Sequence, residues 1–395
     1  MKVLLIINCR FIYSMSSKLT SEILCNGYIK VDGKKIVDIG QMENINSDYL
    51  YDNEIIDAKD CDIYPGFIDS HTHLGMFTNG EGYEYSDANE TSDNLTPNLR
   101  SIDSINSFDI SFKEALYSGI TSAVISPGSS NPIAGKILAV KTYGHRIDDM
   151  VIKDPVAIKF SLGENSKSSG CVDDAKSCKT RMGVACAIRE MLFKSKIYLK
   201  NRSKKSFDYN DYEDKYEALI PLLKGEISAH FHAHRADDIF TALRICKEFG
   251  IKCVIVHGTE AYKITDDLLK EKVDILLGPL ICDRSKPELI NANIKSISKI
   301  SKSGLKTSIT TDHPETPIQY LNIYTALAIA NGMDRMQAIR SITINPAEIC
   351  GIDKYVGSLD VGKDADILVF ENDPFIIGNS PKIIICDGKV VNNNK

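Results

Sequence analysis

Ile63-Tyr64-Pro65-Gly66-Phe67-Ile68-Asp69-Ser70-His71-Thr72-His73 is an apolar run that closes on two histidines two positions apart. Side chains alternate faces along an extended segment, so His71 and His73 point the same way and can reach one ion. Beyond this run, further apolar stretches at 120–126, 155–162, 227–231, 252–256, 273–277 and 306–310 alternate with helical patterns. Strands separated by helices argue for a parallel β/α architecture. The stretch 136–142 is the candidate for an eighth strand. The predicted helices end on glycine: 108–118 at Gly119, 237–249 at Gly250 and 287–303 at Gly304, where a left-handed residue closes the last turn. Thr316-Pro317 opens another as N-cap and first helical residue.

Outside this block the texture is β. Short runs at 2–7, 23–31, 35–39 and 53–57 precede it, and runs at 357–361, 366–370 and 382–391 follow, punctuated by Asp32-Gly33, Gly362 and Asp387-Gly388. The simplest architecture is a β/α barrel over 63–350 set inside a small β domain made from 1–62 plus 351–395. Residues 165–225, with a helix over 181–201 between charged stretches, read as an insertion and a candidate lid.

The 395 residues are 43% hydrophobic and 25% charged, the composition of a globular protein and not of a disordered or fibrous one. A net charge of −6 gives no basic face for a nucleic-acid backbone. Eleven cysteines without a C-x-x-C pair do not form a disulfide framework, which points to a reducing, cytoplasmic setting. The apolar start 3–7 is cut off by Asn8 and Arg10, and no stretch approaches the roughly 20 residues of a membrane span. Gly128-Ser129-Ser130-Asn131-Pro132-Ile133-Ala134-Gly135-Lys136-Ile137 fails as a phosphate loop, and neither a dinucleotide fingerprint nor a serine elbow is present. The basic cluster 200–205 reads as a solvated face, and 392–394 as a frayed tail.

Seven of the eight histidines, His71, His73, His230, His232, His234, His257 and His313, fall at or just past proposed strand ends. In a β/α barrel that is where active sites are built. His230, His232 and His234 share one face, His257 follows an apolar run, and Asp312 follows 308–311. Imidazoles and a carboxylate from four strand ends suit zinc or a related divalent ion. Such an ion lowers the pKa of water to about 7, and Asp312 beside it can move the proton to a leaving nitrogen. The reaction class is metal-assisted hydrolysis.

At this point a resemblance is specific. Tyr64–His73 resembles the first-strand signature of the amidohydrolase superfamily. Asn345-Pro346-Ala347 and Gly357-Ser358-Leu359-Asp360-Val361-Gly362-Lys363-Asp364-Ala365-Asp366-Ile367-Leu368-Val369-Phe370 resemble its C-terminal segment. Within it the chain is most similar to imidazolonepropionase-related and prolidase-like amidohydrolases. The resemblance implies a (β/α)8 TIM-type barrel with a small β-sandwich from both termini, and one or two divalent ions per chain, zinc being expected. It implies His71, His73, His232 and His257 as ligands, Asp312 as ligand and general base, and a bridging ligand from either Glu164 or a carboxylated Lys159. His234 is a substrate contact or alternative ligand, and His230 has no counterpart. Arg181, Arg235 and Lys136 are candidates to hold a substrate carboxylate. The expected activity is cleavage of an amide or cyclic amide C–N bond in a small molecule such as an N-acyl amino acid, a dipeptide or an imidazolone-like ring. The alternatives are a metal-dependent deaminase of an aromatic amine or nucleobase, and a non-catalytic assembly protein on the same fold. A homo-oligomer fits any of them.

Overall fold

In the computed structural model, which describes residues 3–391 apart from 20, 52, 78–85, 168–177, 203, 205 and 206, the strands form two hydrogen-bonded sheets. The N-terminal strands are β1 Leu4–Tyr13, β2 Ile23–Asp32, β3 Lys35–Gln41, β4 Glu54–Asp57 and β5 Asp62–Pro65. The central ones are β6 Phe67–Thr72, β7 Ile120–Ile125, β8 Ile133–Lys141, β9 Val151–Ser161, β10 Ser228–Ala233, β11 Cys253–His257, β12 Asp274–Leu277 and β13 Thr307–Ile309. The C-terminal ones are β14 Ile367–Phe370, β15 Ile383–Cys386 and β16 Lys389–Val391.

The apolar run 63–68 is thus two strands in two sheets, divided at Gly66. A Cβ on Gly66 would lie 2.0 Å from Thr121 Oγ1, so only glycine lets the chain cross there. The terminal sheet runs β16-β15-β14-β5-β1-β2-β3, with β4 beside β1, and so draws on both ends of the chain. Its far ends return to each other: Ala365 N–H donates to Lys34 O at 2.8 Å, and Lys34 Nζ pairs with Asp387 at 2.9 Å. Ile36 and Ile39 of β3 accordingly share a core with Val369 and Ile385.

The central sheet keeps chain order from β6 to β13 and is nearly closed. β8 does cover the candidate eighth strand, but it runs antiparallel to both β7 and β9. A parallel crossover needs a dozen or more residues. The connections 126–132 and 142–150 on either side of β8 are too short for one. Side chains staple the seam between β13 and β6: Thr310 Oγ1 and Thr311 Oγ1 both donate to the Asp69 carboxylate, and Ser308 Oγ donates to Ser70 Oγ at 2.8 Å.

Alternate residues divide between the two barrel faces. Ala229, Phe231 and Ala233 of β10, with Ile158 and Phe160 of β9, pack outward against helices. Ile68, Val124, Ala157, Val254, Val256 and Leu276 fill the interior, which Ala347, Ile349 and Ile352 plug from below. The period-two rule then sends Lys159, His230 and His232 inward.

The helices follow their caps. Asp109 Oδ1 accepts from Ser111 N–H at 2.8 Å and starts Ile110–Tyr117, and Ala236–Phe249 ends at Gly250 with φ 69°. The single helix expected over 287–303 is instead one 3-10 turn, Pro287–Leu289, and a helix, Ser296–Lys302, with an Asn293 turn between them. Thr316 does not cap the next helix, because its hydroxyl bonds Tyr324 OH; Ile318–Tyr320 and Leu321–Ala330 follow. Residues 357–361 form no strand.

The insertion carries the helix Arg181–Arg202, whose Val184, Ile188 and Leu192 are buried in the outer core. Bonds from Arg189 to Glu248 at 2.6 and 2.9 Å fix it on the outside of the barrel. Of the candidate lid, residues 168–177, 203, 205 and 206 lie outside the described residues, as do part of the basic cluster 200–205 and the tail 392–394. Among the described residues, no helix is long and apolar enough to cross a membrane.

Candidate metal centre

The C-terminal ends of the parallel strands surround a cavity of about 760 Å³. β6 delivers His71 and then His73, β9 Lys159, β10 His232 with His234 just beyond, β11 His257, and the chain past β13 Asp312. His257 and Asp312 hold left-handed backbone, φ 73° and 57°. Such strain costs on the order of 1–3 kcal/mol and collects where side chains must be aimed.

The backbone and a threonine hydroxyl orient three of these rings. His73 Nδ1–H donates to Ser126 O at 2.7 Å, His257 Nδ1–H donates to Gly278 O at 2.7 Å, and His234 Nδ1 pairs with Thr259 Oγ1 at 2.7 Å. The two carbonyl bonds leave Nε2 of His73 and His257 as the free lone pair, and the bond to Thr259 leaves Nε2 of His234 facing the cavity, the arrangement in which metal-ligating imidazoles are held. Donor atoms of His71, His257 and Asp312 lie within 4.8 Å of one another, and so do those of His232, His234 and His257. Asp312 Oδ1 is 3.4 Å from His71 Nε2 and 3.6 Å from His73 Nε2. Yet Asp312 Oδ1, His71 Nδ1, both His232 nitrogens and Glu288 Oε1 are buried without a hydrogen-bond partner. Unpartnered buried donors and acceptors are costly. Imidazole nitrogens and carboxylate oxygens grouped this way fit a divalent cation.

Electrostatics agree with that chemistry. Burial pushes the His71, His232 and His257 rings well below the ordinary histidine range, His73 down to about 3 and His234 to about 4. All five are therefore neutral, the form that binds metal. Burial also pushes the Lys159 ammonium down, with Asp312 opposing, and the Asp312 carboxyl up, with Lys159 opposing.

The remaining expected residues divide. Glu164 starts the short helix Glu164–Lys167, half-buried and off the cavity wall. His230 is buried beside Lys159 in the β9–β10 register and faces inward below the cavity. His313 accepts from Ile318 N–H at 3.2 Å, a packing role. Arg181 is tied to Asp238 at 2.9 Å and Arg235 to Asp237 at 2.8 Å; neither lines the cavity, nor does Lys136. Among the described residues, the cation that does line it, besides Lys159, is Lys286, whose Nζ donates to Asn165 Oδ1 at 2.9 Å. Lys286 and Glu288 both come from the β12–β13 connection, and beside Pro287 they look in sequence like an ordinary helix start. Asp69, which holds Thr310 and Thr311, carries its own signal in sequence: a carboxylate two positions before His71 in an extended run.

Comparison with known proteins identifies the family. The chain is 25% identical to amidohydrolase TasK of Hapsidospora irregularis over 85% of its own length, which is 37% of that protein. It is 22% identical to the imidazolonepropionase of Fusobacterium nucleatum over 88% of this chain and 85% of that one. A crystal structure of an amidohydrolase from Thermotoga maritima superimposes with a TM-score of 0.91 at 35% identity, covering 98% of this chain and 99% of that one. The amidohydrolase family model matches residues 63–391. By fold and by this match across most of its length, the chain belongs to the amidohydrolase family.

Proposed function

We propose that this protein is a metal-dependent hydrolase that cleaves the C–N bond of an amide or cyclic amide in a small molecule. One observation carries the reading: neutral imidazoles and a carboxylate from separate strand ends converge on one cavity, with several donor atoms left unpartnered. His71, His73 and Asp312 would hold one ion, and His232 and His257 a second. Zinc suits these donors. Lys159 is favoured over Glu164 as the bridging residue, because it is buried among the ligands while Glu164 lies off the cavity wall. Carboxylation of its nitrogen would give it two oxygens, one for each ion.

When bound, the ion polarises a carbonyl and lowers the pKa of water. Asp312 Oδ1, unpartnered at the cavity floor, is the oxygen that takes the proton from the attacking water and returns it to the leaving nitrogen. Lys286, held by Asn165, gives the cavity a fixed positive charge, which fits a substrate bearing a carboxylate. N-acyl amino acids, dipeptides and imidazolone-like rings are the classes to try.

We read the curled terminal sheet as a small β-sandwich of 1–62 and 351–395 that braces a catalytic unit of 63–350, with β5 contributed to its sheet. Free cysteines at all ten described positions support a cytoplasmic setting. The test is a hydrolysis screen of metal-replete protein against those three classes, with metal quantified and ammonia release followed in parallel. Turnover of one class without free ammonia is expected. Turnover confined to aromatic amines would replace the proposal with a deaminase.

A further inference from the structure

Glu288 is only 2% exposed, although the stretch around it, Asp283 to Ser296, is largely at the surface. Its Oε2 accepts from the backbone N–H of Glu164 at 3.0 Å. A Cβ on Gly163, where φ is +86°, would come within 2.7 Å of that oxygen, so the close approach depends on glycine. Oε1 has no hydrogen-bond partner. It lies 3.8 Å from His232 Nε2 and 3.8 Å from His234 Nε2, and 4.0 Å from Lys286 Nζ. None of these is a hydrogen bond, since such contacts close at about 3.2 Å. A carboxylate oxygen buried this way is missing a partner.

The surrounding atoms say what that partner is. Thr259 engages His234 Nδ1 and Gly278 O engages His257 Nδ1, so both rings offer Nε2 to the cavity. His232 completes a group whose donors lie within 4.8 Å of one another. Glu288 Oε1, 3.8 Å from two of these rings, adds a carboxylate to the three neutral imidazoles, and together they make up the four-donor set that a divalent ion of the zinc type takes. An ion bound by these residues would give Glu288 Oε1 the partner it lacks.

We propose that Glu288 is a ligand to the cation held by His232, His234 and His257, supplied by the β12–β13 connection and not by a strand end. His234 then belongs to the metal and not to the substrate. The inference rests on the metal reading above, and it adds a mechanical consequence. Residues 279–297 of that connection form much of the cavity wall, so a ligand within it fastens the wall to the ion.

The experiment compares wild type with Glu288→Gln, which keeps an acceptor for Glu164 N–H and removes the charge. Metal per chain, zinc affinity by chelator competition and the visible spectrum of the cobalt-substituted protein are measured. The expected result is loss of one ion, or an affinity lower by about 10- to 100-fold at one site, with a changed cobalt spectrum. Unchanged stoichiometry, affinity and spectrum would overturn the assignment of Glu288 alone. A wild-type chain that binds no divalent ion would overturn the metal reading together with it. Should the variant not fold, wild type still decides: stripping the metal is expected to speed amide exchange at 286–290, and unchanged protection there overturns the inference.

Discussion

Lys159 Nζ lies 3.1 Å from His71 Nε2 in the floor of the barrel, with neither side chain exposed. As an ammonium, Lys159 donates to the lone pair that His71 would offer a metal, so proton and cation compete for one nitrogen. Burial eases the exchange by pushing the ammonium down. Reconstitution of stripped protein with zinc is therefore expected to be faster and more complete at pH 8.5 than at pH 6.5, with added bicarbonate raising it further if Lys159 is carboxylated. Lys159→Gln should lose the bicarbonate effect and about 10- to 100-fold in activity; metal content per chain and initial rates check both.

Asp312→Asn removes the carboxylate proposed to carry the proton and keeps the shape of the site. Turnover is expected to fall by about 10²- to 10⁴-fold, with the melting temperature little changed and most of the metal retained. Near-normal turnover in this variant would remove Asp312 from the chemistry.

The junction between barrel and terminal sheet depends on Lys141, which β8 carries to the end away from the cavity. Its Nζ meets Asp366 at 2.7 Å, Asp364 at 3.2 Å and Asp387 at 3.2 Å. Lys141→Met leaves the buried Asp366 carboxylate without its counter-charge, while Asp387 keeps Lys34 and Asp364 keeps Lys35, and is expected to cost about 3–5 kcal/mol at pH 7, read by urea or thermal unfolding. Burial pushes Asp387 up, but Lys141 and Lys34 outweigh it and hold the carboxyl below its usual value. A depressed acid stabilises the fold above its ordinary pKa of about 3.9 and loses that contribution as pH falls further. The gap between wild type and variant should accordingly shrink well below pH 4. Burial lowers Lys141, yet its three partners raise it above the ordinary lysine value, so its own contribution disappears only in strong alkali.

Gly278 is the residue whose carbonyl fixes His257, and its φ is +154°. A Cβ there would stand 1.9 Å from Thr310 O. Gly278→Ala is expected to lower stability by about 2–4 kcal/mol and to turn His257 away, so that metal affinity and activity drop together. A variant that melts lower but binds zinc as wild type does would show that the carbonyl is not what aims the ring.

Much of this was legible because burial and periodicity write themselves into sequence. Apolar runs ending in His71, His232, His257 and Asp312 sit at barrel strand ends because side chains there must face the cavity. The reversed β8 was hidden, since an apolar run looks the same in either direction and only the length of its connections betrays it. Arg181 and Arg235 read as anchors because charge is visible in sequence, whereas their capture by Asp238 and Asp237 is not. Glu288 escaped for the opposite reason. Nothing local separates a carboxylate that starts a helical turn from one drawn into the interior by Gly163 and Glu164, which stand more than a hundred residues earlier.

The terminal sheet places β5 between β1 and β14, and β1 beside the two earliest hairpin strands. A chain emerging from the ribosome therefore makes β1 to β5 first, yet β5 keeps one edge unpaired until β14 arrives some three hundred residues later. Until then that edge is an open template for other chains. Lys141 likewise waits, without counter-charge, for residues 364–387. Completion of the fold thus waits for those residues, and a chain cut before residue 364 leaves a barrel with an exposed strand edge and a stranded charge.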